Sequence, residues 1–138
     1  MSDIQGLIRD LVAANHILGA EGLCDAYGHI SVRNPDNPDT YFLSRSRSPE
    51  LVTESDILEF NLDNSPTRET ELPIYIERPI HGAVFEARPD VMSVIHNHCA
   101  EVLPFAITAT PMRPAIHNAK RLGETAPVWD IRDKFADT

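Results

Sequence analysis

Two periods of hydrophobic and polar positions run along this chain, and they divide it into elements. Over residues 3–22, Ile4, Leu7, Ile8, Leu11, Val12 and Leu18 recur near helical spacing, which predicts an amphipathic helix packed by one face. Ser2 can cap its start and Gly22 suits its end. His16 lies within it and reads as an ordinary helix-surface histidine. The pattern then becomes strand-like over 28–33. A turn-rich stretch at 34–39 leads to a returning antiparallel partner at 41–44. A short helical turn is expected over 49–55 and a strand over 57–62, closed by Asp63-Asn64, before a polar loop to Leu72. A helix is predicted over 74–87, with Pro79 acceptable only in its first turn. The apolar run Val91-Met92-Ser93-Val94-Ile95 follows the turn-like Arg88-Pro89-Asp90 and continues as a strand into His96-Asn97-His98. A helix from near Ala100 and a strand over 112–116 complete the pattern, and no clear period runs through 120–138. Strands joined by turns in one half and by helices in the other predict an α/β fold, a largely antiparallel sheet covered by helices.

Composition narrows this picture. At 138 residues the chain is expected to be one domain, able to bury about two-thirds of its unfolded surface. It has no apolar run of membrane-spanning length, and its first residues lack the basic-then-apolar pattern of a secretory signal. Cys24 and Cys99 share no metal or disulfide spacing, so a reduced, cytoplasmic chain is the expectation. A net charge of −9 argues against nucleic acid as a partner and leaves a small anionic substrate open. One locally basic stretch, Ser44-Arg45-Ser46-Arg47-Ser48, stands against this acidic background.

The chemistry concentrates around His96 and His98. Residues i and i+2 of a strand face the same way, so both imidazoles can close on one divalent ion, at about 2.0–2.1 Å each. Glu77 supplies a carboxylate, and two histidines with an acid suggest metal-assisted carbanion chemistry. His81, one helical turn beyond Glu77, reads as its partner. Cys99 points away from the paired rings and reads as a small buried side chain. His29, Ser44, Arg45 and Arg47 form a candidate anion pocket. Gly28 permits close backbone approach, and arginine matches a carboxylate with two parallel hydrogen bonds. His117 is read as lining the substrate pocket, with a buried structural role as the alternative.

Together these segments resemble the class II aldolase/adducin family. The residues that carry the resemblance are Tyr27-Gly28-His29-Ile30-Ser31-Val32-Arg33, Leu51-Val52-Thr53 with Asp56-Ile57, Glu77, and Arg88-Pro89-Asp90 leading to His96-Asn97-His98. Within the family, residues 44–50 and 128–133 look most like the hydroxypyridine- and hydroxybenzoate-type carboxylate decarboxylases. The resemblance implies a three-layer α/β/α domain and a metal-dependent carbon–carbon lyase, a homotetramer in the family. His96 and His98 match two metal ligands, for zinc or manganese, and Glu77 matches the catalytic acid/base. The family's third histidine ligand falls beyond Thr138, so this chain is expected to be the N-terminal portion of the usual domain. Two other activities follow from the resemblance: an aldolase acting on a hydroxy-carbonyl substrate, and a non-catalytic module that works by association, as in the adducin branch.

Overall fold

A computed structural model of the chain describes residues 3–129. Ser2 and the 130–133 part of the family-like tail lie outside the described residues. The chain divides into two units, Met1–Cys99 and Ala100–Thr138.

In the first unit, strands β1 (His29–Arg33), β2 (Thr40–Ser44), β3 (Ile57–Asn61) and β4 (Ser93–His96) form one antiparallel sheet in the order β3-β2-β1-β4. Helices α1 (Ile4–Ala20) and α2 (Pro79–Ala87) complete it. The period-two pattern sorts side chains between two apolar clusters. Ile30 of β1 and Phe42 of β2 pack with Leu11 of α1, and Ile4, Leu7, Leu18 and Val32 lie against them. Tyr41 and Leu43, the alternate residues of β2, pack with Phe60, Tyr75 and Phe85 of α2. The expected antiparallel, helix-covered sheet is therefore present, with α1 on one face and α2 on the other.

The first helix is capped by Asp3, whose carboxylate accepts from the Gly6 N–H at 2.8 Å. It ends where Gly22 turns to φ +67° and the Leu23 N–H reaches the Leu18 carbonyl at 3.0 Å, a left-handed cap that glycine adopts without strain. His16 is exposed on the helix surface, as expected, and also makes a contact. Its Nε2 lies 2.7 Å from the Val52 carbonyl, tying α1 to the short 3-10 turn Pro49–Leu51.

The expected helix over 74–87 is shorter than its pattern. Pro79 has no N–H to give the Tyr75 carbonyl, so the helix begins at Pro79. The Arg78 guanidinium takes that carbonyl at 2.8 Å instead. Glu77 is consequently held in the turn ahead of α2, not in its first turn. The expected strand through His98 is shortened too. Among the described residues β4 pairs with β1 alone, whose first residue His29 sits opposite His96, so the ladder ends at His96 and His98 lies just past it.

Arg33 is buried, and among the described residues no carboxylate forms an ion pair with it. Its guanidinium donates to the carbonyls of Val91, Pro38, Phe85 and Arg88 at 2.6–3.2 Å. Those of Phe85 and Arg88 belong to the C-terminal end of α2, where a cation is favourable.

The second unit holds α3 (Leu103–Ile107), which starts later than Ala100, and a 3-10 turn over His117–Leu122. The expected strand over 112–116 does not form. Pro114 in its middle cannot donate to a ladder, and the Met112 carbonyl instead accepts from the Ala126 N–H at 3.1 Å.

Candidate functional site

The first-unit site is assembled from three places that the fold forces together. His29 and His96 are direct cross-strand partners, so one strand begins where the other ends. Gly28 sets the approach to His29: a Cβ there would lie 2.7 Å from the Cys24 Cβ. Glu77 enters from the turn before α2, next to Tyr75, whose ring packs on His29 with centroids 4.1 Å apart.

The acidic and imidazole groups converge. His96 Nε2 is 3.1 Å from His98 Nε2, and Glu77 Oε1 is 3.3 Å from the first and 3.8 Å from the second. Tetrahedral ligands about 2.0–2.1 Å from one ion stand about 3.4 Å apart. The spacing and donor types thus fit a divalent ion. His29 Nε2 closes the other side, 3.8 Å from Glu77 Oε2, and His29, Glu77 and His96 are themselves near enough to one another to share an ion.

Behind these rings lie groups that the sequence did not single out. His98 Nδ1 faces both oxygens of Asp25, at 3.2 and 3.3 Å. An N–H there donates to the carboxylate and leaves the Nε2 lone pair directed at His96 and Glu77. Asp25 is fixed by the N–H groups of Tyr27 and Gly28, at 3.0 and 2.9 Å. Desolvation works against its charge, but these bonds and the His98 ring outweigh it and hold the carboxyl below the usual range.

His81 was expected to pair with Glu77. It is instead fully buried, with Nε2 2.7 Å from His29 Nδ1 and Nδ1 2.6 Å from Ser31 Oγ. Ser31 shares a face of β1 with His29, which is why one ring of α2 reaches both. Burial, reinforced by neighbouring imidazoles, pushes His81 down to about 4 and His29 down to about 3, so both are neutral near pH 7. The one available signal was the His29/Ser31 alternation in β1 together with His81 four residues past Glu77.

The remaining expected pocket residues are distributed differently. Ser44 is fully buried at the end of β2. Arg45 Nε donates to Asp56 at 2.6 Å, and Arg47 reaches the same carboxylate at 3.1 and 3.2 Å. The two arginines thus meet on Asp56, and among the described residues no hydrogen bond joins either to His29. Desolvation opposes the charge of Asp56, but hydrogen bonds from Thr53, Arg45 and Arg47 hold it well below the usual carboxylate range. Cys99 is half-buried, and its N–H donates to Asn97 Oδ1 at 3.1 Å. His117 opens the 3-10 turn of the second unit. No helix among the described residues is long and apolar enough to cross a membrane.

Residues 9–134 match the family model described as the class II aldolase and adducin N-terminal domain. The chain is 40% identical over 126 residues to the decarboxylase TropJ of Talaromyces stipitatus, covering 90% of this chain and 47% of that protein. It is 32% identical over 119 residues to the 3,4-dihydroxyphthalate decarboxylase of Arthrobacter keyseri, covering 78% of this chain and 47% of that protein. The chain therefore spans about half the length of these curated relatives. In fold it matches the L-fuculose 1-phosphate aldolase of Glaciozyma antarctica, with a TM-score of 0.74 at 24% identity over 87% of this chain and 53% of that one. An aldolase II superfamily protein of Pseudomonas syringae matches with a TM-score of 0.75 at 22% identity, over 88% and 51% of the two chains.

Proposed function

The chain belongs to the class II aldolase and adducin family, and from that premise we propose that it is a metal-dependent carbon–carbon lyase, specifically a decarboxylase of a small hydroxylated aromatic or heteroaromatic carboxylate. The observation that carries this reading is the convergence of Glu77 Oε1 on the facing Nε2 atoms of His96 and His98. The decarboxylase names of relatives at 32–40% identity favour carbon dioxide as the leaving group.

In this reading His96 and His98 hold zinc or manganese, with water or a partner chain completing the shell. A divalent ion supplies Lewis acidity there, accepting the charge that C–C cleavage leaves on the substrate. The rest is done by the chain's own groups. Asp25 orients His98 so that its Nε2 lone pair faces inward. Glu77 carries the proton from its carboxyl to the carbon that has lost carbon dioxide; with 36% of its side chain exposed, it can be reprotonated between turnovers. His29 and Ser44 bind the anionic substrate. Arg45 and Arg47 bind it with the guanidinium N–H groups not given to Asp56. A homo-oligomer, tetrameric as in the family, is the proposed assembly.

Product analysis tests this. Zinc- or manganese-loaded protein is incubated with a panel of hydroxybenzoic and hydroxypyridine carboxylic acids, and carbon dioxide is measured. Release that disappears in Glu77→Gln is the expected result. Aldehyde or ketone products from hydroxy-carbonyl substrates, without carbon dioxide, would establish the aldolase activity instead. A folded protein inactive on both panels would leave the association module.

A further inference from the structure

The Ser31–His81–His29 string has ends of unequal character, and this fixes where its protons sit. Three buried groups stand in line: Ser31 Oγ to His81 Nδ1 at 2.6 Å, and His81 Nε2 to His29 Nδ1 at 2.7 Å. All three residues are completely inaccessible to solvent. A bond between two ring nitrogens needs one of them to be a bare acceptor, so the protons of the string must all run one way or all the other.

Suppose His29 Nδ1–H donates to His81 and His81 Nδ1–H donates to Ser31. Ser31 then becomes an acceptor, and its own O–H is a buried donor with no acceptor, a costly defect. The string running from Ser31 has no such defect. Ser31 O–H donates to His81 Nδ1, and His81 Nε2–H donates to His29 Nδ1. The last proton is then on His29 Nε2, which is buried, has no hydrogen-bond partner among the described residues and faces Glu77 Oε2 at 3.8 Å. A carboxylate at that distance favours an N–H over a lone pair, yet the gap is too long for a hydrogen bond. The N–H is thus buried and unpartnered beside the partly exposed Glu77, where a ligand oxygen entering the site would meet it.

We propose that Ser31 and His81 are positioning residues that lock His29 in its Nε2–H tautomer, making it a neutral hydrogen-bond donor for an anionic substrate oxygen and not a ligand of the metal. This rests on the lyase reading for its substrate, but its structural content does not depend on it. It separates two of the site's histidines by the partner behind each ring: a carboxylate behind His98 bares its inward nitrogen, whereas the serine-ended string protonates that of His29. Neutral imidazole is well suited to the task, since a donor that stays uncharged cannot form an ion pair with Glu77 and hold it ionised.

The test is nitrogen NMR of the histidine rings in the full 138-residue chain, metal-free and then titrated with zinc. The expected result is a protonated Nε2 and a bare Nδ1 on both His29 and His81, with the His29 Nε2 proton retained when zinc is added. In His81→Phe, which cannot donate, His29 should change from one tautomer to a mixture. His81→Gln can accept from Ser31 and donate to His29, and should restore the single form. A bare Nε2 on His29 in the wild-type chain, or loss of its proton on zinc binding, would overturn the proposal. So would a His29 tautomer unchanged in a folded His81→Phe. If the phenylalanine variant does not fold, the wild-type spectrum alone decides. An absence of zinc binding or of lyase activity would count against the proposed function, and the tautomer in the metal-free chain would still be read.

Discussion

The two faces of β1 are built from adjacent residues and do opposite work. Ile30 and Val32 lie toward α1 among Leu11, Phe42 and Leu7, an apolar contact with no group that needs a partner. His29, Ser31 and Arg33 lie on the other face, fully or almost fully buried, and each is hydrogen-bonded to an element distant in sequence. The first face contributes stability through area removed from water. The second yields little net stabilisation, because each buried polar group exchanges a bond to water for one to protein. What it provides is geometry: a His29 ring held 3.8 Å from Glu77 and packed beside His96. The fold therefore rests on one side of the sheet and the chemistry on the other, and the two can be damaged separately.

The largest expected effect is on the polar side. Glu77→Gln should lower turnover about 10²–10⁴-fold while the unfolding midpoint in urea stays put. A variant that kept wild-type turnover would remove Glu77 as the proton carrier. Damage to the apolar side should give the converse. Phe42→Ala should cost about 3–5 kcal/mol of stability, measured by urea unfolding, while zinc binding per folded chain is preserved. Equal loss of zinc affinity would show that the faces are not separable.

The pH dependence comes next and belongs to the polar face. His29 and His81 are lowered to about 3 and about 4 in the folded chain, against about 6.5 unfolded. Between these limits the unfolded state binds more protons, so their contribution is complete above pH 6.5 and is lost as pH falls toward 4. Urea midpoints of metal-free protein should decline over that window, and less steeply in His81→Gln. A midpoint flat from pH 6.5 to 5 would contradict the buried neutral pair. The smallest effect is expected from Asp25→Asn, which should weaken zinc binding about 10–100-fold by calorimetry with little change in stability.

Much of this was legible in sequence wherever a local rule governs. Alternation gave β1 and β2, helical spacing gave α1, and the His96-Asn97-His98 spacing led to two rings that do meet, although His98 lies beyond the strand. The failures share a cause. Ser31 and Arg33 were given no structural role and His81 was matched to Glu77, because their partners lie some fifty positions away. The pairing of Arg45 and Arg47 with Asp56 also went unseen, because Asp56 belongs to a separate 3-10 turn. Prolines account for the rest: Pro79 delayed α2 and Pro114 removed a strand from the second unit.

Metal stoichiometry tests the central claim most directly. Protein purified without chelator should carry about one zinc or manganese ion per chain by mass spectrometry, and the folded double variant His96→Ala/His98→Ala should carry none. A wild-type chain that is folded but metal-free even after incubation with zinc, or a double variant that retains its ion, would contradict the account.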